Sequence, residues 1–232
     1  MYYVICALAC YLVGTVNPSY LIAKMKGFDI RKSGSGNAGG SNAVITMGGR
    51  IGVMCTILDI LKAFFVVTAS VRLLPELPYI RSIASVAVML GHMFPFYMGF
   101  KGGKGLACLG GSILAFDALL FVFMVLAALA LAFITDYIVF VPLTASVAFP
   151  IAYGCMSGDW VGAAILIIAT VAIYYRHLEN IRRIKNGTEA HLSFMWNKDK
   201  EMERIKGAIA TKGNTKGEEA EKLSDPEKLN LK

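Results

Sequence analysis

The heptapeptide GFKGGKG, at positions 99–105, places four glycines and two lysines directly after an apolar run. Successive glycines permit backbone conformations that turn several N–H groups toward one point, and a lysine beside them adds a compact positive charge. A helix that begins near Gly105 would add the positive end of its dipole. The motif therefore predicts a phosphate-binding loop, whose members are Lys101, Gly102, Gly103, Lys104 and Gly105. The alternative is an ordinary loop whose lysines only set membrane topology.

A second group of small polar side chains occupies the segment GSGNAGGSN, at positions 34–42. Ser35 and Asn37 lie on a glycine-rich backbone, where their side chains can hydrogen-bond hydroxyl groups or phosphate oxygens. Ser41 and Asn42 have two interpretations: they bind substrate, or one of them caps the N-terminus of the next helix. The segment thus predicts a polar binding loop around Ser35.

The segment RHLENIRRIKNGTE, at positions 176–189, follows the last apolar run. His177 and Asn180 are three residues apart, so they share one face if the last helix continues through them. Histidine can exchange a proton near neutral pH, and asparagine can hold a hydroxyl or a carbonyl group. A His and an Asn that only lie at the water interface are the alternative. Glu189 is expected to pair with an arginine of the same segment and to close it structurally.

The composition indicates a polytopic membrane protein of the all-α class. The chain has 232 residues, of which 56% are hydrophobic and 17% are charged, and apolar runs recur through its first 176 positions. About seven transmembrane helices are predicted, and they cover 2–23, 52–73, 83–100, 106–116, 118–134, 138–156 and 160–175. The fourth is shorter than the roughly 17 residues that a crossing helix needs. The first has no cationic start or cleavage site, so we expect it to persist in the mature protein.

Lysine and arginine set the expected orientation of these helices. Most cations follow the first, third and last apolar segments, whereas Glu76 and Asp159 lie at the other ends. The positive-inside rule then places the N-terminus outside and the three polar segments on the cytoplasmic side. This arrangement requires a break near Asp117, because one long helix over 106–134 would carry the last basic segment outside.

The C-terminal stretch 196–232 differs in composition from the rest of the chain. It contains nine Lys or Arg and eight Asp or Glu, with few apolar residues. This balance predicts a flexible, charged cytoplasmic tail and argues against a nucleic-acid-binding arm. The predicted organisation is therefore a membrane domain over 1–195 followed by the tail.

Ionisable and thiol groups within the apolar segments are interpreted as structural. Asp59 and Lys62 are three residues apart and are expected to form an ion pair on one helix face. His92 is predicted to be an interhelical hydrogen-bonding group near the site. The five cysteines lie in apolar segments without metal-ligand spacing, which predicts buried free thiols and no metal site.

Together the three polar segments resemble the motifs of the PlsY family, the bacterial glycerol-3-phosphate acyltransferases that use acyl phosphate as donor. The resemblance runs from Tyr2 to Ser193 and keeps GSGNAGGSN, GHMFPFYMGFKGGKGLA and RHLENIRRIKNGTE in order. It implies an integral enzyme of the bacterial inner (plasma) membrane with a cytoplasmic active site. The implied reaction transfers a fatty acyl group to the sn-1 hydroxyl of glycerol 3-phosphate and yields lysophosphatidic acid and phosphate.

Residue roles follow from the same resemblance. It implies catalytic groups at Ser35, His177 and Asn180, a phosphate-binding loop at 102–104, and a structural glutamate at Glu189. The implied partners are the small molecules acyl phosphate and glycerol 3-phosphate, together with membrane lipid, and not nucleic acid. No cofactor, metal, nucleotide or acyl-enzyme intermediate is implied. The proton of the attacking hydroxyl goes to His177 or to the phosphate of the donor.

The chain departs from the family pattern where phosphate partners are expected. An arginine of the first motif is replaced by Ile45, and Arg50 is a nearby substitute. An arginine followed by serines is replaced by Asp136, Val139 and Pro142, which reverses the local charge. The alternative functions are therefore a divergent relative with a changed acceptor or lost activity, and an organic-anion transporter. We find no internal repeat of the kind that a transporter predicts.

Overall fold

The computed structural model describes residues 1–195, 197, 200–201 and 203–208. Every regular element within these residues is a helix, which confirms the all-α prediction. The α-helices are α1 (Tyr2–Thr15), α2 (Pro18–Met25), α3 (Gly40–Met47), α4 (Gly49–Leu73), α5 (Ile80–Met93), α6 (Leu106–Phe116), α7 (Ala118–Thr135), α8 (Phe140–Ser157) and α9 (Trp160–Lys185). Short 3-10 helices lie at Ile30–Lys32, Phe96–Met98 and Leu192–Met195. Most of the predicted tail, 196–232, lies outside the described residues.

Six segments of the described chain are long and apolar enough to cross a membrane. They run over Tyr2–Met25, Gly49–Leu73, Ile80–Met98, Ala118–Thr135, Phe140–Ser157 and Trp160–Lys185. The additional predicted crossing is α6, whose 11 residues extend over about 16 Å, roughly half of the hydrocarbon core. The chain is therefore a multi-pass membrane protein, and a crossing by α6 stays a prediction.

The first crossing segment, predicted over 2–23, runs over Tyr2–Met25 and is divided into the two helices α1 and α2. Pro18, the first residue of α2, has no backbone N–H to donate, and Asn17 before it is extended, with φ −116°. The Asn17 side chain caps α2 by accepting a hydrogen bond from Tyr20 N at 2.8 Å. The break exposes the backbone around Val16 to contacts with other helices.

The predicted break between α6 and α7 is confirmed. Helix α6 ends at Phe116, Asp117 is extended with φ −154° and ψ 124°, and α7 begins at Ala118. The Asp117 carboxylate accepts a hydrogen bond from Leu120 N at 2.7 Å, which caps the start of α7.

The chain divides into two compact units. The first comprises 1–130 and 141–177, and it contains the large buried apolar cluster around Met89 and Phe149. Within it α1 packs against α5 and α4 packs against α6, at glycines that let two backbones approach closely. A Cβ at Gly91 would overlap the backbone of α1, and one at Gly111 would overlap the backbone of α4. The second unit comprises 131–140 and 178–232.

The cysteines of the described residues are all free thiols. The predicted burial is confirmed for Cys6, Cys10, Cys55 and Cys108. It is wrong for Cys155, which is exposed. Apolar sequence around a cysteine indicates a membrane segment, but it does not indicate which helix face turns inward.

Candidate active site

The Ser35 loop, defined as residues 33–39, is organised around the side chain of Asn42. Asn42 is fully buried, and its Oδ1 accepts the backbone N–H of Ser35 at 2.8 Å. Its Nδ2 donates toward the carbonyls of three preceding residues, at 2.7 to 3.0 Å. The side-chain amide thus supplies the hydrogen bonds that an irregular backbone cannot make with itself.

Ser41 and Asn42 lie inside a helix and not at its cap. Helix α3 begins at Gly40, after the N-cap residue Gly39, and no side chain caps it. The capping alternative for Ser41 and Asn42 is therefore wrong. Ser41 is exposed on α3, and its predicted contact with substrate stays a prediction.

Asn37 fixes the orientation of the Ser35 hydroxyl. Asn37 Nδ2 donates to Ser35 Oγ at 2.9 Å, while Asn37 Oδ1 accepts from Gly39 N at 2.9 Å. Because Ser35 Oγ already accepts a hydrogen bond, its own O–H is oriented as a donor. Both side chains are half-buried. The loop therefore presents a serine hydroxyl with a defined direction.

The glycine–lysine loop, defined as residues 99–105, directs its central amides inward. Gly102 N donates to Met93 O and Gly103 N donates to His92 O, both at 3.1 Å. The prediction that these two glycine amides form an anion-binding nest is therefore wrong, because helix α5 already accepts their hydrogen bonds. A sequence motif shows that a backbone can bend, but it does not show where the N–H groups point.

Close packing explains the central glycines of this loop. A Cβ on Gly103 would overlap the imidazole ring of His92, and a Cβ on Gly102 would overlap the His92 carbonyl and the Pro95 ring. Only a residue without a side chain lets the loop lie this close to the end of α5. Both glycines are buried.

One of the two lysines of the loop, Lys104, lies directly before the first turn of α6. Gly105, with φ 91°, precedes α6, and no side chain caps this end of the helix. The first backbone N–H groups of a helix have no intrahelical partner and carry partial positive charge. Lys104 is half-buried directly before them. This end of the loop therefore suits an anionic group such as phosphate.

Hydrogen bonds join the Ser35 loop to the glycine–lysine loop. Ala38 N donates to Gly102 O at 3.4 Å, and Asn17 Nδ2 donates to Ala38 O at 2.8 Å. Arg31, which precedes the Ser35 loop, donates to Met98 O. The first two predicted polar segments are therefore neighbours within the first unit.

Arg176 contacts the glycine–lysine loop, whereas its place in the sequence indicated only a role in topology or an ion pair with Glu189. Its guanidinium donates to Gly102 O at 2.8 Å and to Gly103 O at 3.2 Å. The same group lies 5.8 Å from the centroid of the Phe94 ring. The only sequence signal was its place beside His177, because the carbonyls that it binds lie more than 70 residues away.

His177 is buried in α9, with 4% of its surface exposed. Its Nδ1 lies 2.8 Å from Ile173 O, and since a carbonyl can only accept, Nδ1 carries the proton. In the neutral form of this tautomer the lone pair is on Nε2, where it can accept a proton. Ile173 packs close to Gly105, so this turn of α9 lies beside the glycine–lysine loop.

Asn180 and Glu189 contact each other in the second unit. Asn180 Nδ2 donates to Glu189 Oε1 at 2.6 Å, and Glu189 N donates to Arg183 O at 3.1 Å at the end of α9. The arginines Arg182 and Arg183 form ion pairs with Glu179, at 4.0 and 3.3 Å. The contacts of Glu189 that fit its expected structural role are therefore those with Asn180 and with the Arg183 carbonyl at the end of α9.

Asp136, the acidic replacement at a family arginine position, has its own partner in the second unit. Its carboxylate lies 3.3 Å from His191 Nδ1, and its carbonyl accepts a hydrogen bond from Leu192 N at 2.7 Å. His191 Nε2 lies 2.9 Å from the Tyr137 hydroxyl. The carboxylate at this position thus has a local contact with a histidine that follows the third motif.

Glu201 is buried although it belongs to the predicted tail. It accepts hydrogen bonds from Arg204 Nε and Nη2 and one from His191 N at 2.9 Å. The hydrogen bond from Arg204 lowers the pKa of the Glu201 carboxyl. The described part of the second unit is therefore held partly by charged groups.

The remaining departures from the family pattern are apolar residues, and they differ in their exposure. Ile45 is 40% exposed on α3, whereas Val139 and Pro142 are buried. Arg50 lies exposed in the first turn of α4. Its substitution for the missing family arginine stays a prediction.

The predicted ion pair of Asp59 and Lys62 is confirmed, with Oδ1 and Nζ 2.6 Å apart. His92 Nδ1 lies 3.1 Å from Lys62 Nζ, which confirms its expected interhelical contact. In the described part of the chain, Asp59, His92 and Cys108 bring potential metal-ligand atoms within 4.8 Å of one another. The Lys62 ammonium already contacts both Asp59 and His92, so a metal ion would have to displace it.

Comparisons with known proteins identify the family of the chain. The family model for glycerol-3-phosphate acyltransferase matches residues 4–187. A glycerol-3-phosphate acyltransferase from Thermotoga petrophila is 39% identical over 77% of this chain and 91% of its own length. One from Bacillus velezensis is 34% identical over 79% of this chain and 94% of its own length.

Solved structures show the same fold. The crystal structure of PlsY (YgiH), an integral membrane glycerol 3-phosphate acyltransferase in its glycerol 3-phosphate form, matches with a TM-score of 0.77 and 31% identity. The match covers 84% of this chain and 98% of the PlsY chain. The lysophosphatidic acid form of PlsY matches with a TM-score of 0.73 over 82% of this chain and 95% of its own. The chain is thus a multi-pass membrane protein that belongs to the glycerol-3-phosphate acyltransferase family.

Proposed function

We propose that this acyltransferase transfers a fatty acyl group from acyl phosphate to the sn-1 hydroxyl of glycerol 3-phosphate. The products are lysophosphatidic acid and inorganic phosphate, and the reaction takes place at the cytoplasmic face of a bacterial inner membrane. The related PlsY was solved in a glycerol 3-phosphate form and in a lysophosphatidic acid form, which supports this acceptor and this product. Relatives in several bacteria support the bacterial membrane.

In this proposal Lys104 and the first turn of α6 bind the phosphate of the acceptor. The ammonium and the helix N-terminus place two sources of positive charge at one point, and neither needs a metal ion. Gly102 and Gly103 contribute by fixing the backbone, and Lys101 and Ser41 extend the polar surface. Asn42 acts through the Ser35 loop, because its own amide is buried within that loop.

The donor is already activated, so the enzyme has mainly to position the two substrates and to stabilise charge. The acceptor hydroxyl attacks the acyl carbon and forms the ester C–O bond, while the C–O bond to phosphate breaks and phosphate leaves with the electron pair. The proton goes to His177 Nε2 or directly to the departing phosphate. Ser35, with its O–H oriented by Asn37, donates a hydrogen bond to the reacting oxygens, and the catalytic role of Asn180 stays a prediction.

One observation supports this assignment most directly. The Gly102 carbonyl accepts hydrogen bonds from Ala38 N, in the Ser35 loop, and from Arg176, which directly precedes His177. The Gly103 carbonyl accepts a second hydrogen bond from Arg176. Segments more than 60 residues apart therefore meet at the loop that bears Lys104. That convergence is what a two-substrate reaction with an anionic acceptor requires.

The assignment is tested by kinetics of the purified protein with acyl phosphate and glycerol 3-phosphate. Lys104→Ala should raise the KM for glycerol 3-phosphate by about 10- to 100-fold, because one charge-assisted phosphate contact of roughly 1.5–3 kcal/mol is lost. His177→Ala should mainly lower kcat, by about 100-fold, as expected for a general base. Lys26→Ala, which removes an exposed lysine after α2, is the control and should change neither value. Unchanged kinetics in both test variants would overturn the assignment.

A panel of acceptors addresses the departures at Ile45 and Asp136. Glycerol 3-phosphate, other phosphorylated polyols and unphosphorylated glycerol are compared under the same conditions, each with acyl phosphate and with acyl coenzyme A. We expect product only from acyl phosphate and only with a phosphorylated acceptor. Acylation of glycerol at the same rate would contradict phosphate recognition by Lys104.

The orientation is tested by labelling single cysteines in intact cells. Cysteines replacing Lys32 and Arg182 should react only after the inner membrane is permeabilised, and a cysteine replacing Ser157 should react before it. All three positions are exposed in the structure. Labelling of the first two positions from outside would contradict a cytoplasmic site.

A further inference from the structure

Four buried polar groups of the first unit form a cluster that takes no part in the proposed chemistry. Lys62 Nζ lies 2.6 Å from Asp59 Oδ1 and 3.1 Å from His92 Nδ1, and His92 Nδ1 lies 3.3 Å from the same Asp59 oxygen. Cys108 Sγ donates to Asp59 O at 3.6 Å. The side chains of Lys62, Asp59 and His92 are only 10%, 1% and 3% exposed. Ionisable groups at such positions in a membrane segment are costly, so a role for them is expected.

The Lys62 ammonium also contacts the backbone outside its own helix. Nζ donates to Val16 O at 2.6 Å, in the break between α1 and α2. The next residue, Asn17, donates its side-chain amide to Ala38 O in the Ser35 loop at 2.8 Å. One buried charge is therefore linked through two neighbouring residues to the loop that carries Ser35.

The same charge is linked to the glycine–lysine loop through His92. The Nδ1 side of the His92 ring contacts Lys62. The Nε2 side of the ring packs against Gly103. The His92 carbonyl accepts Gly103 N at 3.1 Å. A shift of the His92 ring would therefore displace the backbone that leads to Lys104.

We propose that Lys62, paired with Asp59, is a positioning residue that holds the Ser35 loop and the glycine–lysine loop in register, through Val16 and His92. Both loops depend on the ammonium, and they meet at the hydrogen bond from Ala38 N to Gly102 O. Lys62, which lies in the membrane segment α4 and contacts no substrate, then sets the geometry of the reacting groups. This inference rests on the proposed function insofar as Lys104 and Ser35 bind the substrates.

Two readouts separate positioning from stability. Lys62→Met keeps the length of the side chain but removes the charge, and it leaves the buried Asp59 carboxylate without its ammonium partner, which destabilises the fold. The double variant with Asp59→Asn and Lys62→Met removes both charges, so thermal stability should return to near the parent value. We expect kcat for acylation of glycerol 3-phosphate to stay about 10- to 100-fold lower in both variants, because the contact with Val16 is missing from both. Recovery of kcat together with stability would overturn the proposal.

A matched control and a second measurement complete the test. Ser70→Ala removes another buried hydroxyl of α4, which contacts Cys6, Cys10 and the carbonyl of Val66, and it should leave kcat and KM unchanged. Spin labels at the exposed positions Lys32 and Lys101 report the spacing of the two loops without any turnover. The distance distribution should broaden in Lys62→Met and in the double variant, and stay narrow in Ser70→Ala and Lys62→Arg. An unchanged distance distribution in the double variant would overturn the positioning role of Lys62. This measurement needs no turnover, so it decides that role even if the parent protein proves inactive and the proposed function is wrong.

Discussion

The Ser35 loop and the glycine–lysine loop are both rich in glycine, but different interactions fix their backbones. In the Ser35 loop one buried side chain, Asn42, supplies the hydrogen bonds. In the glycine–lysine loop the backbone of Gly102 and Gly103 bonds to the end of α5 and to Arg176. The first loop should therefore be sensitive to the loss of a side chain, and the second to the gain of one.

The variant Gly103→Ala should have the largest effect. The new Cβ overlaps the His92 ring, which cannot yield because Lys62 and Asp59 contact it, so the loop backbone must move. A displacement of about 1 Å in an active site costs roughly 100-fold in rate, and we expect kcat/KM to fall by at least that factor. Steady-state kinetics in detergent measure it.

Gly99→Ala is the matched control in the same loop. No other group lies within 4 Å of a Cβ at Gly99, but the residue has φ 61°, so the cost is the left-handed strain of about 1–2 kcal/mol. We expect a small loss of thermal stability and less than a tenfold change in kcat/KM. If both alanine variants lost activity equally, close packing would not explain Gly103.

Asn42→Ala should mainly destabilise the fold. It leaves the Ser35 N–H and several carbonyls without a partner inside the protein, at a cost of roughly 3 kcal/mol. Thermal unfolding in detergent should show a lower midpoint than for Asn37→Ala, which removes two contacts from a half-buried residue and costs about 1 kcal/mol. An equal or larger loss in Asn37→Ala would contradict the central role of Asn42.

Arg176→Lys tests whether the glycine–lysine loop needs both donor nitrogens of the guanidinium. Lysine keeps the charge but cannot donate from two fixed nitrogens to Gly102 O and Gly103 O. Loss of one charge-assisted hydrogen bond of about 1.5 kcal/mol predicts a roughly tenfold fall in kcat/KM. Arg182→Lys, in an exposed pair with Glu179, is the control. A normal rate in Arg176→Lys would show that one donor is sufficient.

The smallest effect is expected at Asp29, before the Ser35 loop. Hydrogen bonding from Arg31 lowers the pKa of the Asp29 carboxyl from 3.8 to about 2. The ionised carboxylate thus stabilises the fold above pH 4, and this contribution is lost as the pH falls from 4 through about 2. Asp29→Asn should lower stability by about 1 kcal/mol or less at pH 6, since the pair is near the surface. The difference in unfolding free energy between Asp29→Asn and the parent should become smaller from pH 4 to pH 3. A difference that becomes larger over this range would contradict the ion pair.

The sequence indicated candidate site residues, whose roles stay predictions, but it did not indicate most of their contacts. Residue types and short spacings indicated an anion-binding loop at Lys104, a helical pair at His177 and Asn180, and the ion pair of Asp59 with Lys62. It could not indicate Asn42 as the centre of a loop, because an asparagine in a polar segment fits a cap, a turn or a ligand contact equally well. Nor could it indicate that His191 would stand beside Asp136, since 55 positions separate them.

The sequence alone determined the membrane class, the all-helical fold and the break at Asp117, because hydropathy and charge bias are properties of short stretches of chain. Tertiary structure alone decided that the amides of Gly102 and Gly103 face α5, that Arg176 binds their carbonyls, and that Lys62 contacts the α1–α2 break. These contacts join residues 9 to 74 positions apart, and packing of the helices, which no local pattern encodes, brings their atoms within hydrogen-bonding distance.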